Sequence, residues 1–177
     1  MRIVSGTHRG RLIVPPSNLK ARPTTDFAKE NIFNVISNFY DYEGLTVLDL
    51  FAGTGSISYE FASRGAAEIT SVEINPNHVN FISSTAHKLG FDNINVVNAN
   101  CFLYVKSCDR KFDVIFADPP YDIEGSEELP RLIVERGLLS DRGTLIMEHS
   151  SNLDFADYPL FTQKRKYGSV NFSIFEK

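Results

Sequence analysis

Apolar positions from residue 45 onward alternate between two rhythms. Short apolar runs predict strands over 46–51, 69–74, 94–98, 112–117 and 144–148. The segments between them repeat their apolar residues every three or four positions, which predicts helices over 57–64, 76–89 and 127–136, with a short piece after Asn100. Strands that alternate with helices build a parallel sheet covered on both faces, and such sheets bind ligands at the strands' C-terminal ends. The tail reads differently. Residues 160–166 and 169–175 flank Gly168 and predict an antiparallel hairpin that closes the sheet edge as the last two of seven strands.

Upstream, residues 1–5 and 11–14 are short β-prone runs joined by the glycine-bounded turn 6–10, and Pro15 and Pro16 end them. Ala28, Ile32, Val35, Ile36 and Phe39 fall on one face of a helix that Thr24 or Thr25 would cap. Phe33 and Phe39 are expected in the core. The chain thus divides into a hairpin-and-helix extension over 1–40 and a main domain over 41–177.

Composition narrows the class. The 177 residues carry a net charge of −4 and are 42% hydrophobic, as in one ordinary globular domain. A chain of this length buries roughly 70% of its unfolded surface, so it needs no disulfide or metal to fold. Cys101 and Cys108 form no CxxC pair, and His8, His78, His87 and His149 lack ligand spacing, so no metal is expected. No apolar run approaches the ~20 residues of a membrane span. Arg2, Arg9 and Arg11 stand where a signal peptide would be apolar, so a cytoplasmic protein is expected. Charge is unevenly placed. Residues 1–31 hold Arg2, Arg9, Arg11, Lys20, Arg22 and Lys29 against Asp26 and Glu30, leaving +4 there and −8 in the remainder. A basic arm on an acidic body would grip a polyanion locally.

Two motifs carry chemistry. The apolar strand through Leu48, Asp49 and Leu50 runs into Phe51-Ala52-Gly53-Thr54-Gly55, where missing Cβ atoms permit a sharp bend and let a ligand lie on bare backbone. Asp49 is costly to bury alone, so it either orders this loop or meets a cationic ligand group. Glu73 ends the next strand, where a carboxylate can accept from both hydroxyls of a ribose. Ser58 replaces the third glycine of a dinucleotide fingerprint, which counts against a pyrophosphate on the helix. The second motif is Asp118-Pro119-Pro120-Tyr121, directly after the fourth strand. Its prolines remove two donors, leaving the Asp118 carboxylate and the Pro119 carbonyl as acceptors for both hydrogens of a planar NH2 group. Tyr121 offers a flat face on which a nucleobase can stack.

Together these motifs resemble a class I methyltransferase that uses S-adenosyl-L-methionine and modifies an exocyclic nitrogen. The segments beginning at Arg2, Arg22, Glu30 and Ser63 extend the likeness, and the chain closely resembles the bacterial RsmD-type family, which methylates a guanine N2 in small-subunit 16S ribosomal RNA. That resemblance implies a Rossmann-like α/β fold with a mostly parallel seven-stranded sheet. It implies a cofactor site of Asp49, Phe51, Gly53, Gly55, Glu73, Ile74, Asn100 and Cys101, with the Asn100 amide accepting from adenine N6 and donating to N1. Asp118, Pro119 and Tyr121 would be catalytic, and Arg2, Arg9, Arg11, Arg22 and Thr24 would meet the RNA. Arg22 and Thr24 fit a turn and a cap equally well. The expected partner is 16S rRNA or a small-subunit assembly intermediate, met by a monomer, with Lys164, Arg165 and Lys166 a possible second patch. Methylation of DNA adenine N6 or protein glutamine, a nicotinamide-dependent oxidoreductase, and a non-catalytic RNA-binding module stand as alternatives.

Overall fold

A computed structural model describes residues 1–19 and 24–177. Thr25 caps the first helix, α1 (Asp26–Ile36), by accepting from Ala28 N at 3.1 Å. There follow β1 (Thr46–Leu50), α2 (Ser56–Arg64), β2 (Glu68–Glu73), α3 (Pro76–Leu89), β3 (Ile94–Asn98), α4 (Cys101–Ser107), β4 (Phe112–Ala117), α5 (Leu129–Glu135), β5 (Leu139–His149), β6 (Phe161–Tyr167) and β7 (Val170–Glu176). Among the described residues the seven strands lie in the order β3-β2-β1-β4-β5-β7-β6. The first five are parallel, and β7 runs antiparallel between β5 and β6.

Period-two alternation splits the core into two layers. Val47, Ile69, Val114, Phe116 and Ile146 face α1, α2 and α3, while Leu48, Leu50, Val72, Ile115 and Leu145 face α4 and α5. Asp49 therefore points toward α2. The order reverses between β1 and β4, and their C-terminal ends form the crevice where such sheets take ligands.

Four expectations change. The N-terminal hairpin is a single antiparallel bridge, Arg2 with Leu12, because the turn at 6–10 and the prolines leave no room for a longer ladder. Its Ile3 and Ile13 lie in the same core as Phe33 and Phe61. β5 begins at Leu139, earlier than expected, since Asp141 and Arg142 are exposed and interrupt the apolar run. The helix expected over 127–136 splits into a 3-10 turn, Ser126–Glu128, and α5, whose first turn holds Pro130 without a donor to lose. Phe39 lies beyond the end of α1 and is 43% exposed, while Phe33 is in the core.

Candidate active site

The glycine loop departs from β1 through left-handed backbone at Phe51 (φ 61°), Gly53 (φ 56°) and Gly55 (φ 83°). For Phe51 that conformation costs of order 1–2 kcal/mol, and neighbours must hold it. Its N–H donates to Cys101 Sγ at 3.2 Å, and Ala52 N donates to Val72 O at 3.1 Å. Cys101 is thus a strut between α4 and the loop, and burial pushes its thiol up to about 12. Gly55 does not line the cavity. A Cβ there would come within 2.7 Å of Tyr59 Cζ, so Gly55 shapes the turn.

Two carboxylates flank the loop. Asp49 is buried, accepts from Ser58 Oγ at 2.5 Å, and is raised by burial to about 7. Glu73 accepts from Gly53 N and from Asn75 N, each at 2.8 Å, so one side chain fixes the loop and the start of α3 together. Among the described residues His78 Nδ1 has no hydrogen-bond partner; it is buried 3.8 Å from Glu73 Oε1. Asn100 caps α4, its Oδ1 accepting from Phe102 N at 2.9 Å and Leu103 N at 3.1 Å. The oxygen is therefore committed to backbone, and the donor half of the amide is what can reach an adenine edge. Ile74, 62% exposed, adds an apolar surface beside it.

The end of β4 meets this loop directly. Asp118 N donates to Leu50 O at 3.4 Å, which brings the Asp-Pro-Pro-Tyr segment against β1. A cavity of about 480 Å³ is lined by Asp49, Phe51, Gly53, Glu73, Ile74, Asn100 and Cys101 on one side. Thr24, Asp118, Pro119, Tyr121 and Glu148 line the other. Thr24 Oγ1 lies 3.5 Å from Asp118 Oδ2 and 3.3 Å from Glu148 Oε2, so one hydroxyl bridges two carboxylates. Tyr121 donates its hydroxyl to Glu148 Oε1 at 3.2 Å and keeps its side chain 48% exposed.

Sequence reasoning missed Glu148 and His78. Glu148 closes the apolar run Leu145-Ile146-Met147 at a strand's C-terminal end, the same signal that marked Glu73. For His78 the signal was weak, since one histidine in a helical first turn resembles any surface residue.

The basic residues lie elsewhere. Arg2, Arg9 and Arg11 are exposed and outside the cavity, with Arg2 Nε 3.7 Å from Asp26. Thr7 N donates to Ser63 O at 2.7 Å and His8 N to Ser63 Oγ at 2.9 Å, so the hairpin tip rests on the end of α2 away from the cavity. Arg22 lies outside the described residues. Lys29 leaves the basic arm altogether. It is 1% exposed, donates to Arg2 O at 2.5 Å and Ser56 Oγ at 3.2 Å, and sits 3.7 Å from Glu60. Lys164, Arg165 and Lys166 are exposed on the edge strand β6.

The donor set suits S-adenosyl-L-methionine. A strand-end carboxylate beside an unspent His78 nitrogen suits a ribose diol, buried Asp49 suits an ammonium, and Ile74 with the Asn100 donor suits an adenine. Known proteins share this fold. The chain is 26% identical over 179 residues to the ribosomal RNA small subunit methyltransferase D of Buchnera aphidicola, covering 99% of this chain and 91% of the relative. It is 30% identical over 148 residues to the protein of the same name from Escherichia coli, covering 84% of this chain and 74% of the relative. A solved structure of a hypothetical protein from Thermus thermophilus superimposes with a TM-score of 0.86 at 27% identity, over 100% of this chain and 99% of that one. The model of the family described as Conserved hypothetical protein 95 matches residues 1–176, and the chain belongs to that family, which is the family of the RsmD-type methyltransferases.

Proposed function

We propose that the protein transfers a methyl group from S-adenosyl-L-methionine to the exocyclic N2 of a guanine in small-subunit 16S rRNA. The observation that carries this reading is one cavity in which Asp118, Pro119 and Tyr121 face Asp49, Gly53, Glu73 and Ile74. The names of its relatives support an rRNA substrate.

When bound, the cofactor supplies a methyl group on a positively charged sulfur. Asp49 and the Gly53 backbone would hold its methionine part, Glu73 and His78 its ribose, and Asn100 with Ile74 its adenine. The target guanine leaves its stack, at a cost of a few kcal/mol, and lies against Tyr121. Stacking on the ring returns roughly 1–3 kcal/mol. The Asp118 carboxylate and Pro119 carbonyl accept the two N2 hydrogens and turn the nitrogen lone pair toward the methyl. Holding two reacting atoms in line supplies up to ~7–11 kcal/mol of the barrier. An arylamine attacks neutral and sheds its proton after transfer, so Asp118 orients the amine and no strong base is needed.

Arg2, Arg9 and Arg11, all exposed on the N-terminal hairpin, would follow the RNA backbone away from the cavity. A monomer working in the cytoplasm on an early assembly intermediate fits this layout, because a flipped base must reach the crevice before neighbouring proteins cover it. Incubation of tritium-labelled cofactor with naked 16S rRNA, assembled small subunits and DNA tests the reading. Label is expected on one guanine N2 of the ribosomal substrates. Label on adenine, on DNA or on protein alone would replace it.

A further inference from the structure

Phe27 shares one outward stripe of α1 with Glu30, Asn31 and Asn34, and it is 61% exposed. It follows Thr25 by two residues, and both Thr24 and Thr25 line the cavity, so the first turn of α1 stands at the cavity mouth. The hairpin adds to this rim. Met1 Sδ lies 3.8 Å from Oγ1 of Thr54, another cavity residue, and Met1 exchanges backbone hydrogen bonds with Ile13. Ile3 and Ile13 turn inward, which leaves Leu12 and Val14 outward at 66% and 74% exposed. Arg2 joins the two pieces, facing Leu12 across the bridge with its Nε 3.7 Å from Asp26, the residue before Phe27. Exposed apolar surface rimmed by polar groups marks an interaction site.

We propose that Phe27 stacks on the nucleotide next to the flipped guanine, and that Leu12 and Val14 continue its apolar surface along the hairpin. The inference deepens the guanine-N2 reading above and rests on it. When one base leaves the stack, its chain neighbour loses a stacking partner and bares an apolar face. Proteins that hold unstacked strands combine aromatic platforms with cations that track the backbone. Here the platform comes first at the cavity mouth, Arg2 lies beside it, and Arg9 and Arg11 follow toward the hairpin tip, all three exposed. These charges suit phosphates and would repel a basic protein, so the surface fits RNA. The stack would set the register of the strand, and with it which guanine reaches Asp118 and Pro119. Phe27 thus acts on binding, and the Asp-Pro-Pro-Tyr segment acts on transfer.

The experiment uses 16S rRNA, naked and in assembled subunits, prepared intact or with one abasic nucleotide directly 5′ or 3′ of the target guanine. Single-turnover methylation is followed at saturating cofactor over a range of RNA concentrations for the wild type, Phe27→Ala, Phe27→Trp and Phe39→Ala. For the wild type, one of the two abasic substrates should raise the half-saturating concentration roughly 5- to 150-fold, the worth of one base–aromatic stack. Phe27→Ala should raise it by a similar factor on intact RNA and make that abasic site harmless, since both changes remove the same contact. Its maximal rate should stay within about threefold of the wild type, because the stack holds ground state and transition state alike. Phe27→Trp should bind intact RNA at least as tightly as the wild type. Phe39→Ala, which removes an exposed ring beside Leu45 and Asp113 at the opposite end of the sheet, should change nothing. Losses that multiply between Phe27→Ala and the abasic site overturn the proposal, as does an unchanged half-saturating concentration in Phe27→Ala. A wild type that sediments as a dimer and becomes monomeric in Phe27→Ala also overturns it, by placing a second copy on this surface. Failure of the reading beneath shows differently, as intact substrates that the wild type does not methylate at guanine N2.

Discussion

Ser58 Oγ donates to Asp49 Oδ2 at 2.5 Å and lies 2.6 Å from Ser71 Oγ, all three side chains buried. The residue that breaks the dinucleotide glycine pattern is thus the one that supports the carboxylate beneath the loop. It satisfies Asp49 without neutralising it. Burial still raises Asp49 from 3.8 to about 7, which leaves the carboxylate ready to ionise against a cationic ligand group.

That shift sets a pH dependence. In the unfolded chain Asp49 ionises near 3.8, whereas in the folded chain it stays protonated until about 7. The folded state therefore holds the extra proton, and the stability of the cofactor-free protein should fall as pH rises from about 4 to 7 and then level off. Cofactor binding should release a proton, so affinity should rise roughly tenfold between pH 5.5 and 7. Calorimetry in buffers of different ionisation enthalpy measures both. Asp49→Asn should flatten the profile, and an equally steep profile in that variant would assign the proton elsewhere.

Glu73 links cofactor binding to loop shape. Its two oxygens hold Gly53 N and Asn75 N, and a glutamine can serve only one of them as an acceptor. Glu73→Gln should weaken cofactor binding by roughly 10- to 100-fold, the range for losing charge-assisted hydrogen bonds. Titration calorimetry checks it, and an unchanged Kd would remove Glu73 from the ribose site.

The buried cluster of Lys29, Glu60 and Arg64 fastens the N-terminal hairpin to the body. Glu60 accepts from Val4 N at 2.8 Å, Ser5 N at 3.0 Å and Arg64 Nε at 2.8 Å, with Lys29 Nζ at 3.7 Å. Lys29→Met leaves that carboxylate short of one cation and should cost about 3–5 kcal/mol in urea unfolding. A loss below about 0.5 kcal/mol, the size of an ordinary surface change, would show that Arg64 alone balances Glu60.

RNA affinity should separate from cofactor affinity. Arg2, Arg9 and Arg11 are exposed, so their share of the log–log salt slope should be about −2 to −3, and each alanine substitution should reduce it by about 0.7–0.9. Gly6→Ala should lower RNA binding too, since its φ is 80° and a Cβ would lie 1.9 Å from Ser63 O, which pushes the hairpin off α2. Cofactor titrations with both sets of variants should match the wild type. A flat salt response would remove the arm from the RNA surface.

How much of this was readable beforehand depended on distance along the chain. β3 and β4 begin and end where expected, because Asn95 and Asp113 each break their apolar runs at one interior position only. β5 was read short because Asp141 and Arg142 are exposed polar residues that separate Leu139 from the apolar run, at the place where the register with β4 shifts. Phe39 keeps helical spacing, but Ser37 ends α1 by donating to Phe33 O, which no spacing rule shows. Glu73 and Asp118 followed from one rule about strand ends. The Thr24 bridge did not, because it joins residues 94 and 124 positions apart. Lys29 misled for the same reason. Its charge is plain in the sequence, and its partners Arg2 O, Ser56 and Glu60 become visible only when α1 packs on α2.

The central claim is that the carboxylate after β4 aligns an amine beside the cofactor. Single-turnover methyl transfer by Asp118→Ala, measured beside its cofactor Kd, tests it most directly. The rate should fall by about 10²-fold or more, the effect of misplacing a reacting atom by about 1 Å, with cofactor Kd within about twofold of the wild type. Asp118→Asn, which keeps one acceptor, should fall between the two. A wild-type transfer rate in Asp118→Ala would contradict the account.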